Sequence, residues 1–180
     1  VAQLEAYEET KTKTQNASNQ VEQAGIVLGS QKYRLETGET LSEADSQSYI
    51  STIDTYVSGV EEYVAGKRFS VNIAADFIFG KDSKFSLEAD DTFNKVESEI
   101  IEIKSLMNEK IQAAMDKDDD TPYEIDDTEW NEIDGYRQQI QEKYDQIQQA
   151  EQDAKLTALK ARHENPSKIS NESREELFSG

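Results

Sequence analysis

Acidic side chains crowd one short stretch of the chain, residues 116–134. This stretch holds ten Asp or Glu residues and a single base, Lys117. A run of carboxylates with this density could bind a hard divalent cation, because Ca²⁺ takes six to eight oxygen ligands. A calcium loop of the EF-hand type beginning at Asp118 would find carboxylates at four ligand positions. The candidate metal ligands are Asp118, Asp120, Asp126 and Glu129.

The same stretch departs from that calcium loop at two positions. Ile125 occupies the aliphatic position, but Pro122 stands where a ligand is expected and Tyr123 replaces the Gly of the sharp turn. Two interpretations stay open. One is a solvated acidic connector whose last carboxylates complement the positive end of the following helix. The other is a structural cation site, with Ca²⁺ as the candidate ion and no chemistry attached to it.

Other residue types that could do chemistry are scarce. The chain has no Cys, which excludes disulfides, thiolate metal sites and a Cys nucleophile. Its only His, His163, lies in a polar segment and is expected to be exposed. A cell-wall hydrolase that uses a pair of carboxylates stays open as an alternative function. However, no pair of acids in the sequence has the apolar surroundings that would raise the pKa of one of them. We therefore predict a non-enzymatic protein without catalytic or cofactor-binding residues.

The charge balance restricts the partners. The 180 residues include 38 acids and 19 bases, a formal net charge of −19. Binding to nucleic acid requires clustered Lys and Arg, so nucleic acid and anionic membranes are disfavoured. No apolar run approaches the ~20 residues that span a bilayer. No signal peptide is visible, and the start at Val1 favours a piece of a longer protein, although a processed terminus would start the same way.

Three stripes of apolar residues at helical spacing predict three long helices over residues 43–79, 86–115 and 128–160. Ser42 and Thr128 are the predicted N-caps, Gly80 is the predicted C-terminal stop, and Gly66 could bend the first helix. A strand over 69–73 is the weaker alternative. The stripe residues are Tyr49, Ile53, Tyr56, Val57, Val60, Tyr63 and Val64; Phe93, Val96, Ile100, Ile103, Met107, Ile111 and Met115; and Trp130, Ile133, Tyr136, Ile140, Tyr144 and Ile147.

These elements predict an all-α fold with a thin core, since only 35% of the residues are hydrophobic. Residues 1–41 form an N-terminal helical arm over 1–28 and a loop over 29–41. The arm is a solvated helix that needs a partner or, as the alternative, a partly ordered segment. Residues 42–160 form an antiparallel three-helix bundle with coiled-coil-like packing, because short connections join successive stripes. Residues 161–180 form a polar tail that frays or forms one short helix.

One stretch resembles a helical segment of tail tape measure proteins from phages and prophages of Gram-positive bacteria. The likeness covers roughly residues 38–150 and begins with a Leu-Ser-x-x-Asp start at Leu41–Asp45. Paired Tyr-Val steps follow, as at Tyr56-Val57, and Phe77–Gly80 matches the helix end. An acidic turn at Asp120–Glu129 and a Gln-rich helix come next. The turn lacks the Gly of that pattern and carries Thr121-Pro122-Tyr123 instead.

The resemblance implies a structural role in virion assembly. Tape measure proteins fix tail length during assembly and fill the tail tube as extended helical chains. It further implies contact with other tail proteins or self-association, and a location in the virion tail, with assembly in the host cytoplasm. The alternative is an acidic helical protein-binding module, such as a surface or secreted adaptor that recognises a basic partner.

Overall fold

The computed structural model describes the backbone of residues 2–39, 41–80, 84–116 and 125–164. Side chains are described for residues 4–39, 41–73, 80, 90–116, 125–153, 156, 159 and 160. Within these ranges the chain forms four helices and no strand. They are α1 (Ala2–Glu36), α2 (Glu43–Phe79), α3 (Lys84–Met115) and α4 (Asp127–Glu164). The all-α prediction is confirmed for this part of the chain.

The bounds of α2 match the prediction, and α3 begins two residues earlier than expected. Helix α2 passes through Gly66 without a break and includes residues 69–73, so the strand alternative for that segment is wrong. Gly80 follows the last residue of α2 with φ of 87°. A side chain rarely adopts this left-handed conformation, which explains why Gly ends the helix there.

Helix α1 is longer than predicted, because it continues through residues 29–36 where a loop was expected. Its real stop is Gly38, with φ of 90°. Glu39 N–H donates to the Arg34 carbonyl at 3.0 Å, and Gly38 N–H donates to the Leu35 carbonyl at 3.1 Å. This pair of bonds is the Schellman arrangement that satisfies the last carbonyls of a helix. The prediction of a loop from Gly29 onward is wrong because Gly inside a helix lowers its propensity without ending it.

The predicted stripes form one continuous core. Every stripe residue of α2 named above is buried, as are those of α3 from Phe93 to Ile111. Met115 is the exception and is 47% exposed. In α4 the stripe is buried except for Tyr136, which is partly buried against the core. Two buried residues close one end of this core, Leu41 before α2 and Ile125 before α4.

The order of contacts shows how the helices run. Gly66 and Gly59 of α2 lie beside Thr14 and Val21 of α1, so these helices run in opposite directions. Ion pairs give the same result for α2 and α3, through Lys104–Glu61 and Arg68–Glu97, and for α3 and α4, through Lys110–Glu132 and Lys143–Glu99. Helices α2 and α4 therefore lie side by side in the same direction.

Candidate functional site

The acidic stretch 116–134 is only partly within the described structure. Asp118 and Asp120 lie outside the described residues. Asp126 and Glu129 are described, and they lie at the start of α4. There, Asp126 accepts a hydrogen bond from the N–H of Glu129 at 2.8 Å, and Glu129 accepts one from the N–H of Asp126 at 3.2 Å.

This reciprocal pair is a capping box, in which two side chains satisfy free N–H groups of the first helical turn. The N-cap of α4 is thus Asp126, and the prediction of Thr128 was wrong by two residues. Thr128 lies inside the helix, where its hydroxyl cannot reach the first free N–H groups. Both described candidate ligands stabilise their own helix. No group of three or more His, Asp or Glu residues arranged for a metal is present in the described part of the chain.

A buried hydrogen bond fixes the end of this connector to α2. Ile125 N–H donates to the Ser46 hydroxyl at 3.0 Å, and both residues are fully buried. A buried backbone N–H is costly unless it is paired, so Ser46 stabilises the entry into α4. Nothing in the apolar stripes predicts this role, because Ser46 reads as an ordinary first-turn residue of α2.

Helices α2 and α4 meet along a seam with a period of seven residues, which we call the aromatic ladder: Tyr49 with Trp130, Tyr56 with Arg137, and Tyr63 with Tyr144. The rings of Tyr49 and Trp130 stack with centroids 5.5 Å apart, and those of Tyr63 and Tyr144 are 4.5 Å apart. The Arg137 guanidinium lies 5.3 Å from the Tyr56 ring centroid. The ladder therefore sets the register of α2 against α4.

The middle pair of the aromatic ladder, Tyr56 with Arg137, includes an ion pair between partly buried Arg137 and buried Asp134. Asp134 is 3% exposed and accepts hydrogen bonds from Arg137 Nε at 2.6 Å and Gln138 Nε2 at 2.9 Å. Burial is the largest single effect and would lower the pKa of Arg137, but the hydrogen bond and charge of Asp134, together with Tyr56, outweigh it, so the pKa is raised. Arg137 stays charged and neutralises Asp134, which explains how a carboxylate is tolerated in this seam.

The largest described pKa shift belongs to Tyr63, in the Tyr63–Tyr144 pair of the aromatic ladder. Burial, followed by the nearby charge of Glu151, raises the pKa of Tyr63 to about 12. Burial also raises the pKa of Tyr56, against the opposing effect of Arg137. A tyrosine with so high a pKa keeps its proton at neutral pH. These hydroxyls are suited to packing and hydrogen bonding and not to acid–base catalysis.

Helix α1 approaches α2 through small residues. A Cβ atom added at Gly59 would lie 2.9 Å from Val21 Cγ2, and one at Gly66 would lie 1.9 Å from Thr14 Oγ1. Both glycines are therefore required by the close approach. The described buried residues of α1 are Thr14, Ala17, Val21, Ala24, Leu28 and Gln31. Their alternating spacing of three and four was the missed signal, because a search for large apolar residues overlooks Thr, Ala and Gln.

Hydrogen bonds add to this contact. The Ser18 and Tyr144 hydroxyls lie 3.0 Å apart, which links α1 to the aromatic ladder. Gln20 Nε2 donates to the Thr55 carbonyl at 2.8 Å. A shallow groove beside this bond is lined by uncharged side chains, including Asn16, Asn19 and Gln23. The groove offers hydrogen bonds, and no acidic or basic side chain in its lining could activate the hydroxyls of Ser51, Thr52 or Thr55.

A second polar cluster joins α2 to α3. Arg68 binds Asp90 through Nε and Nη2, at 3.0 and 2.9 Å, and Glu97 through Nη1 at 3.0 Å. Hydrogen bonds from Asn72 and Arg68 lower the pKa of Asp90. The charged groups of this cluster are directed at one another across α2 and α3, which indicates an interhelical clamp.

No family model, curated protein or solved structure matches this chain. Function is therefore inferred from the residues and their packing. None of the helices within the described residues has the length and apolar character needed to cross a membrane. The backbone of His163 belongs to α4, and its side chain lies outside the described residues, so its predicted exposure stays a prediction.

Proposed function

We propose that this chain is a non-enzymatic structural segment of a phage or prophage tail tape measure protein, with a role in tail assembly and length determination. The main support is that landmarks of the resemblance fall on helix ends. Leu41 is fully buried immediately before α2. The Ser42 hydroxyl accepts the Asp45 N–H at 3.2 Å, as a helix start requires. Gly80 follows the end of α2.

The proposed working unit is an antiparallel three-helix bundle of α2, α3 and α4, with α1 as an arm packed on α2. Interhelical ion pairs support the three-helix unit: Lys67–Glu151 joins α2 to α4, Lys104–Glu61 joins α2 to α3, and Lys143–Glu99 joins α3 to α4. The seven-residue period of the aromatic ladder supports coiled-coil-like packing, because such a period keeps one face of each helix on its partner.

The composition supports a structural role over a catalytic one, since the sequence has no Cys and one His. The proposed partners are other tail proteins or further copies of the chain. The proposed location is the virion tail, with assembly in the host cytoplasm.

Mass spectrometry of purified virions tests this assignment. We expect peptides of this chain in the tail fraction after heads and tails are separated. We also expect the encoding gene to be several times longer than this chain and to lie beside genes for tail tube and tail chaperone proteins. Peptides that appear only in cell-wall or secreted fractions, with none in tails, would refute the proposal.

One observation favours the alternative of an acidic protein-binding module. Ile26 and Tyr33 are 69% and 67% exposed and lie seven residues apart on α1. Residues at this spacing share one face of a helix and could contact a partner. A signal peptide or wall anchor in the parent protein would favour this alternative over the tail assignment.

A further inference from the structure

Helix α1 buries little apolar surface for its length. Of the six buried side chains described in this helix, only Val21 and Leu28 are large apolar groups. The other four are Thr14, Ala17, Ala24 and Gln31. Because stabilisation from burial scales with apolar area, α1 gains less per turn than α2, whose buried face contains three tyrosines.

The first part of α1 gains even less from packing. None of the described side chains from Leu4 to Lys13 is buried, and Leu4 is 38% exposed. Thr, Asn and Ser residues between positions 10 and 19 also lower the intrinsic helix propensity. Isolated helices shorter than about 12 to 15 residues are marginal in water even with favourable sequences. Away from α2, this segment would therefore lose its helical structure.

The remaining helices are tied to one another independently of α1. Phe93, Ile100 and Met107 of α3 are at most 2% exposed, as are Ile133, Ile140 and Ile147 of α4. The Arg68 clamp and the Lys143–Glu99 pair join these helices without a residue of α1. Loss of α1 leaves these contacts in place.

From these observations we propose that α1 opens from α2 and unfolds as one unit while α2, α3 and α4 remain folded. Local units of this kind open with a lower free energy than the whole domain. Opening uncovers the strip around Gly59 and Gly66 and frees the Tyr144 hydroxyl from Ser18. This opening of α1 is inferred from the packing alone and does not depend on the larger assembly to which the chain belongs.

Hydrogen exchange measured by mass spectrometry on the full 180-residue chain tests this opening. We expect peptides from 14–34 to exchange at least about tenfold faster than the slowest peptides of α3 and α4. A common slow rate for all four helices would overturn the proposal.

Two substitutions separate local opening from global unfolding. Ile100→Val weakens only the core of α3, so it should speed exchange in α3 and α4 by about threefold to tenfold and leave α1 unchanged. Gly66→Ala weakens the α1 contact, so it should speed exchange in α1 as well as in the core. If Ile100→Val speeds α1 by the same factor as α3, the chain opens as a single unit and the proposal fails. This result stands even if Gly66→Ala does not fold.

Discussion

Gly66 and Thr14 lie so close together that a Cβ atom at position 66 would be 1.9 Å from the Thr14 hydroxyl oxygen. That oxygen also donates a hydrogen bond of 2.7 Å to the Thr10 carbonyl. The threonine is buried, so its side chain has little room to move away. The contact between α1 and α2 therefore depends on the absence of a side chain at Gly66.

Gly66→Ala should destabilise the protein by up to about 2 kcal/mol. The overpacking cost of about 1 to 3 kcal/mol is partly offset by the better helix propensity of Ala, worth about 1 kcal/mol. Urea denaturation followed by circular dichroism measures the change. Adding Thr14→Ala, which removes the clashing oxygen, should restore part of the loss.

Gly135→Ala is the matched control, because a Cβ atom there meets no described atom within 4 Å. It should stabilise α4 by up to about 1 kcal/mol. Equal destabilisation by both substitutions would show that steric contact with Thr14 is not the cause.

Asp134→Ala should cost about 2 to 3 kcal/mol, because it leaves the Arg137 charge without its buried partner. Asp145→Ala, at an exposed position of the same helix, is the control and should change the free energy of unfolding by less than about 0.5 kcal/mol. Chemical denaturation with Trp130 fluorescence measures both. A cost at Asp134 no larger than at Asp145 would contradict the assignment of a buried pair.

Tyr63 should make stability fall steeply at alkaline pH. Its folded pKa of about 12 lies above the ordinary value of about 10, so folding favours the protonated hydroxyl. The resulting stabilisation is complete below about pH 10 and is lost as pH rises through about 12. Thermal melts across this range should show a shallower fall in Tyr63→Phe than in the parent.

Tyr33→Phe serves as the control for that series, because Tyr33 is 67% exposed. It should leave the alkaline fall of the parent in place. An unchanged slope in Tyr63→Phe would count against the burial of this hydroxyl as the origin of the effect.

The capping box at the start of α4 predicts a response to substitution that does not require a metal. Asp126→Ala should cost about 1 kcal/mol, while Asp126→Asn and Glu129→Gln keep the hydrogen bonds and should cost little. Ca²⁺ and Mg²⁺ at millimolar concentration should raise the melting temperature slightly and by similar amounts. A shift of several degrees with Ca²⁺ alone, abolished in Glu129→Gln, would instead establish a cation site.

The sequence predicted those features that depend on large apolar residues. The stripes from Tyr49 to Val64 and from Phe93 to Ile111 repeat at helical spacing, and this period determines which face is buried. The contact of Thr14 with Gly66 could not be read in that way, because it depends on a missing side chain opposite a small polar one. The N-cap at Asp126 was missed because several neighbouring residues could cap the helix, and only the backbone geometry distinguishes them.

The proposed role in tail length is tested most directly by changing the length of this segment and measuring the tails. An in-frame deletion of residues 43–164 in the virion that encodes this chain removes α2, α3 and α4. If the segment lies in the tail tube as the proposed three-helix bundle, electron micrographs should show tails shortened by about 55 Å, the length of the 37-residue helix α2 at 1.5 Å per residue. Duplication of the same segment should lengthen them by the same amount. Tails of unchanged length in both variants, with the altered protein present in the virion, would contradict the proposed function.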